Sequence, residues 1–226
     1  MKGVKQALIL DFGGVISRTL FETHAQTEAA LGLPRGTLTW RGPFCDLPAS
    51  HPASDALWRA MQAGELSERD HWLTRSREVG RLLGEDWADM QTLVQRARSN
   101  DPEEVLRPET LALMMAARAA GIRLAILSNE LDLFYGRAMR QRLTVLREVE
   151  VIVDATYTGI LKPDARAYTA CLEQLALPAG QCLFVDDQPR NVIGARALGL
   201  PALQFDVLNP ARSCMQARQL LGLGQG

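Results

Sequence analysis

The chain has 226 residues, 47% hydrophobic and 23% charged, a balance that suits one large domain or a core with an insert and excludes extensive disorder. Its 25 Lys+Arg against 26 Asp+Glu give a formal net charge of -1, so nothing global draws it to nucleic acid or an anionic membrane surface. No apolar run reaches transmembrane length, and the one after Gln6 ends at Asp11, too short for a secretory leader. The expectation is a cytoplasmic protein, monomer or homodimer, without nucleic-acid or membrane partners. Cys45, Cys171, Cys182 and Cys214 form no CxxC pair and read as free thiols, Cys171 and Cys182 in core patterns.

The first predicted element is a short strand ending at Asp11, because four apolar residues, Ala7-Leu8-Ile9-Leu10, are followed at once by a carboxylate and the Gly13-Gly14 pair. A long helix-rich region follows. Phe21 to Leu31 suits a helix closed by Gly32, and Arg41 to Asp55 is a connection in which Pro43, Pro48 and Pro52 oppose regular structure. Ser54 opens an amphipathic stretch stopped near Gly64; Ser67 and Asp70 resemble a capping box before His71, Trp72, Arg75 and Val79; Trp87 to Arg98 gives another helix. Trp40, Trp58, Trp72 and Trp87 all fall in this region, as its own core or as an interface.

Glu109 to Ala120 is a helix opened by Pro108, and from there strands and helices alternate. Strands are predicted at 122–127, 151–153, 182–185 and 202–205, and helices at 131–146, 164–175 and 189–198, with a frayed tail over 221–226. Such alternation implies a parallel sheet covered by helices on both faces. The expected fold is therefore α/β: a Rossmann-like parallel sheet core over 1–16 and 107–226, split after its first strand by an all-helical cap domain over 17–106.

Ligands of an open α/β sheet bind beyond the carboxyl ends of its strands, where this chain places Asp11, Ser128-Asn129, Lys162 and Asp186-Asp187. Three clustered carboxylates repel one another unless a cation shares them, and hard oxygen ligands in an open site favour Mg²⁺. Lys162, the Ser128 hydroxyl and the Gly13-Gly14 backbone amides would meet an anion beside that metal, with Asp11 as nucleophile.

The stretches Leu8-Ile9-Leu10-Asp11-Phe12-Gly13-Gly14-Val15, Ile126-Leu127-Ser128-Asn129, Gly159-Ile160-Leu161-Lys162-Pro163-Asp164 and Leu183-Phe184-Val185-Asp186-Asp187-Gln188-Pro189-Arg190-Asn191 resemble, in order, the four signature motifs of the haloacid dehalogenase-like hydrolase superfamily. The insert placement is similar to the subgroup with a helical cap after the first motif. The resemblance implies Asp11 as a nucleophile forming an aspartyl phosphate, with Ser128, Asn129 and Lys162 at the phosphoryl oxygens. It also implies Mg²⁺ held by Asp11, Asp186, Asp187 and the Gly13 carbonyl, a loop ordered by Asn191, and a small phosphorylated metabolite as substrate. Tyr168 reads as core rather than site.

One departure stands out: the family's phosphatases usually carry a second aspartate two residues after the nucleophile, and here that residue is Gly13. Losing a positioned acid-base group slows hydrolysis of a poor leaving group by roughly 10² to 10⁴-fold. A phosphatase would then act on an acidic leaving group, such as an anomeric sugar phosphate, or take its proton from Glu130, His24, Asp46 or Glu65. The alternatives are a 2-haloacid dehalogenase, whose leaving halide needs no proton and whose substrate Arg41 would clamp, and a non-catalytic module that binds metal and phosphate. The acidic pair favours the phosphatase, since it would repel a carboxylate substrate unless metal-bound.

Overall fold

The computed structural model describes residues 5–45, 51, 54–98 and 101–224, and the chain divides into two compact units. One holds Met1–Arg18, Glu103–Asp132 and Arg140–Gly226; the other holds Thr19–Pro102 and Leu133–Met139. In chain order the first strand, β1 (Ala7–Leu10), is followed by α1 (His24–Leu31), α2 (Ala56–Ala63), α3 (Glu68–Leu82) and α4 (Met90–Ala97). The alternating part then runs α5 (Pro108–Ala119), β2 (Arg123–Ser128), α6 (Leu131–Arg140), β3 (Val151–Asp154), α7 (Ala155–Thr158) and α8 (Ala165–Leu175). It closes with β4 (Cys182–Asp186), α9 (Pro189–Ala197), β5 (Ala202–Gln204) and α10 (Pro210–Leu221). Among the described residues no helix is long and apolar enough to cross a membrane.

The sheet is wholly parallel, in the order β3-β2-β1-β4-β5. Central β1 is buried along its whole length, which is why it reads as an unbroken apolar run rather than an alternating one. Ala7, Ile9, Ala125, Leu127, Cys182 and Phe184 form one core with Tyr168, Cys171 and Leu175 of α8 and Ala195 of α9. Helices α5 and α10 pack together, α5 also on β2 and α10 on β4 and β5. The four cysteines are free, and burial pushes the Cys171 thiol up to about 12 and Cys182 to about 11.

Several predicted boundaries shift for identifiable reasons. The helix expected over 131–146 ends at Arg140 and is broken inside by Gly136 at φ 69, ψ 154, a backbone conformation that glycine adopts without strain; a separate 3₁₀ turn covers Thr144–Glu148. Asp55 rather than Ser54 caps α2, accepting from the Trp58 amide at 3.0 Å. The Ser67 cap on α3 accepts from the Asp70 amide at 3.1 Å, as its spacing predicts, while the Asp70 carboxylate accepts from the Ser67 hydroxyl rather than from its amide. Helix α10 was not anticipated, and Leu221, expected in a frayed tail, is its buried last residue. The connection after Arg41 starts as a 3₁₀ turn at Gly42–Phe44; Asp46 lies outside the described residues.

In the second unit α3 packs on α2 and α4, and α4 on α1. Trp40, Trp72 and Trp87 are buried there, so these rings serve the unit's own core.

Candidate active site

The chain order places β2 and β3 on one side of β1 and β4 and β5 on the other, so successive connections part at the β1/β4 junction and open a crevice beyond the strand ends. Leu10 pairs with Val185, and the Asp11 amide donates to the Val185 carbonyl at 2.9 Å. Asp11 therefore stands level with Asp186, and Asp187 follows at once. One carboxylate oxygen from each of Asp11, Asp186 and Asp187 lies within 4.8 Å of the others.

Lys162 enters the same cluster from the loop before α8. Its ammonium donates to Asp11 Oδ1 at 2.8 Å and to Asp186 Oδ2 at 2.7 Å. Burial opposes the charge on this lysine, but the two carboxylates outweigh it and hold its pKa above the ordinary lysine value. Asp186 is fully buried, and its oxygens also accept from the Gln188 amide at 2.8 Å and from Asn191 Nδ2 at 3.1 Å on each oxygen. Three donor groups thus make four contacts to Asp186, enough to engage both of its oxygens. Half-exposed Asp187 accepts from Gln188 Nε2 at 3.1 Å. Three clustered carboxylates, two of them paired with one ammonium, leave excess negative charge, and their hard oxygen donors suit a divalent cation such as Mg²⁺.

A family model for haloacid dehalogenase-like hydrolases matches residues 5–199. The chain belongs to this family. It is 26% identical over 219 residues to mouse acyl-CoA dehydrogenase family member 10, covering 96% of this chain and 19% of that protein. It is 32% identical over 117 residues to a Mycobacterium tuberculosis phosphatase, covering 52% of this chain and 54% of the relative. The aligned segments thus span about a fifth and about half of these relatives. A solved L-2-haloacid dehalogenase superposes with a TM-score of 0.59 at 18% identity over 97% of this chain and all of that one, a likeness of fold.

The other motif residues of this haloacid dehalogenase-like hydrolase hold the loops in place. Ser128 ends β2, and its hydroxyl accepts from the Glu130 amide at 3.3 Å. The Asn129 side chain faces Lys162: Oδ1 accepts from the Lys162 amide at 2.7 Å, and Nδ2 donates to the Lys162 carbonyl at 3.2 Å. Its amide group thereby fixes the lysine's backbone. Asn191 orients Asp186 and, through its carbonyl, accepts from the Tyr168 hydroxyl at 2.8 Å. Tyr168 is fully buried, with burial driving its pKa well up.

Gly13 and Gly14 differ sharply. Gly14 has φ +77°, and a Cβ there would lie 2.8 Å from Asp187 Oδ2, so both backbone and neighbour demand glycine. Exposed Gly13 has nothing within 4 Å of where a Cβ would stand. Arg107 and Thr110, which sequence reasoning missed, pin this loop: Arg107 Nε donates to the Gly14 carbonyl at 2.9 Å and the Thr110 hydroxyl to the Val15 carbonyl at 2.7 Å. In the sequence Arg107 stands only as the residue before a helix-opening proline. His24, exposed Arg41 and exposed Glu65 belong to the second unit, whereas buried Glu130 belongs to the first, with Asp11.

Proposed function

We propose that the chain is a Mg²⁺-dependent phosphatase that hydrolyses a small phosphomonoester, such as a sugar phosphate, through an aspartyl phosphate on Asp11. The observation that carries this reading is the convergence of the Asp11, Asp186 and Asp187 carboxylates, the first two of them paired with Lys162. A 2-haloacid substrate would bring a further carboxylate to that excess negative charge, whereas a metal-bound phosphate ester would be screened. The phosphatase name of a relative at 32% identity supports the same choice.

Asp11 and Asp187, with the Gly13 carbonyl, would hold the ion, while Asp186, whose oxygens are engaged, serves the ion by fixing Lys162. The bound cation would supply charge to neutralise and orient the phosphoryl group. Asp11 attacks phosphorus in line and the ester oxygen leaves; Lys162 and Ser128 meet charge on the equatorial oxygens. Water then attacks the phosphorus of the aspartyl phosphate, releasing inorganic phosphate and restoring Asp11. The helical second unit is proposed as the cap that selects the substrate and excludes bulk water.

Phosphate release from an aryl phosphate and a panel of sugar phosphates, with and without Mg²⁺, and halide release from 2-haloacids test this reading. The expected result is Mg²⁺-dependent phosphate release that Asp11→Asn lowers by about 10⁴-fold or more in a folded protein. Metal-independent halide release, or full turnover by the variant, would overturn it.

A further inference from the structure

Hydrolysis of an unactivated ester needs a proton on the departing oxygen, and Gly13 offers none. The residues already placed around Asp11 are poor sources. The ammonium of Lys162 is held by two carboxylates, the Tyr168 hydroxyl is committed to the Asn191 carbonyl, and Asp186 accepts four hydrogen bonds. All three histidines, His24, His51 and His71, belong to the second unit.

Glu130 is different. It shares the first unit with Asp11 and has 4% of its surface exposed. Leu10 pairs with Ile126, so Leu127 stands level with Asp11 and Ser128 one step beyond it, on the strand next to β1. Glu130 stands two positions after Ser128, a span of about 7 Å at most. Its backbone is held on both sides: its amide donates to Ser128 Oγ, and the Asp132 amide donates to Asp154 Oδ2 at 2.8 Å. A buried glutamate thus stands on an anchored stretch of the loop that carries Ser128, and β2, which leads into that loop, pairs with β1, which leads into the loop that lacks an acid at Gly13.

We propose that Glu130 is the acid-base residue of this enzyme, doing from the end of β2 what a carboxylate at position 13 would do from the end of β1. This rests on the phosphatase reading. As the Asp11 oxygen bonds to phosphorus and the ester P–O bond breaks, the Glu130 carboxyl gives its proton to the leaving oxygen. The resulting carboxylate then takes a proton from the water whose oxygen bonds to phosphorus as the aspartyl phosphate bond breaks. Glu130 is thereby reprotonated.

The test compares p-nitrophenyl phosphate, whose nitrophenolate leaves without a proton, with glycerol 3-phosphate, whose alkoxide needs one, in the full chain with Mg²⁺. Glu130→Gln should lower kcat/KM on the alkyl ester by about 10² to 10⁴-fold and on the aryl ester by several-fold less, and should remove the alkaline limb of the alkyl-ester pH profile. Adding Gly13→Asp, for which there is room, should restore at least about tenfold of the alkyl activity, within the range such a group contributes. Equal losses on both esters, or an unchanged pH profile, would overturn the proposal as marking a structural role. Should Glu130→Gln not fold, Glu130→Asp carries the test: it should keep the alkaline limb at reduced alkyl activity, and loss of that limb would overturn the proposal. Wild-type chain that turns over neither ester would overturn the phosphatase reading itself, and the proposal with it.

Discussion

Lys162 in the first unit and His71 in the second are both shut away from solvent, and their surroundings treat them in opposite ways. Lys162 meets two carboxylates, and one of them, Asp186, is met in turn by Asn191 and the Gln188 amide. His71 is fully buried among Phe21, Trp58 and Trp72, at ring-centroid distances of 6.1, 6.1 and 4.9 Å. Among the described residues neither of its ring nitrogens has a hydrogen-bond partner of good geometry, although the Leu57 backbone favours its charged form. Burial, helped by Arg75 and opposed by Leu57 and Asp55, pushes its pKa down to about 4. Desolvation opposes charge on both groups; carboxylate partners outweigh it at Lys162 and nothing does at His71, so the two pKa values move in opposite directions.

The largest expected effect comes from breaking the paired cluster. Lys162→Met leaves Asp186 buried without its counter-charge and should cost about 3–5 kcal/mol in urea unfolding followed by circular dichroism. Arg123→Ala supplies the contrast, since the Arg123–Glu150 pair is partly exposed and should cost less than about 1 kcal/mol. Similar costs for the two would mean that burial does not set the worth of the Lys162 cluster.

The unpaired histidine should show itself in acid. Its folded pKa lies below the unfolded value of 6.5, so the unfolded chain binds the proton first. The stability this contributes is complete above 6.5 and is lost as pH falls towards about 4, by about 3 kcal/mol. All four tryptophans lie in the second unit, so their fluorescence reports its unfolding. His71→Phe should be neutral or mildly stabilising at pH 7, because it removes unsatisfied polar atoms, and should flatten the acid decline. An unchanged slope between pH 6.5 and 4 would show that other groups govern it.

A smaller effect sharpens the site itself. Gly14→Ala must hold a left-handed backbone against the Asp187 carboxylate and should cost about 1–2 kcal/mol, with weaker Mg²⁺ binding by calorimetry. Gly13→Ala, with open space around its Cβ, should leave stability nearly unchanged.

Most of the fold was legible because its signals are local. A buried parallel strand must be an unbroken apolar run, and Ala7–Leu10 is one; Ser67 and Asp70 announce a helix start by a spacing that one turn enforces. Helix α10 escaped notice although Pro210 at its start and Gly222 at its end, in the left-handed conformation, are signals of the same kind. Gly136 was legible as a glycine but not as a break: only the structure shows its φ of 69° and the Gln91 side chain standing where a Cβ would be.

The sequence by itself determined which residue types stand at the strand ends and in what order: Asp11, Ser128-Asn129, Lys162 and Asp186-Asp187. Strand periodicity and turn chemistry operate over a few residues and leave a direct mark on the chain. Only the tertiary structure decided how those groups divide their work: Asp186 held by three donors, Asn129 turned to the Lys162 backbone, Arg107 braced on the Gly14 carbonyl. It also decided that position 13 has room while position 14 has none. Hydrogen bonds between residues 24 to 93 positions apart have no local signature, because their geometry is fixed only when the sheet brings the strand ends together.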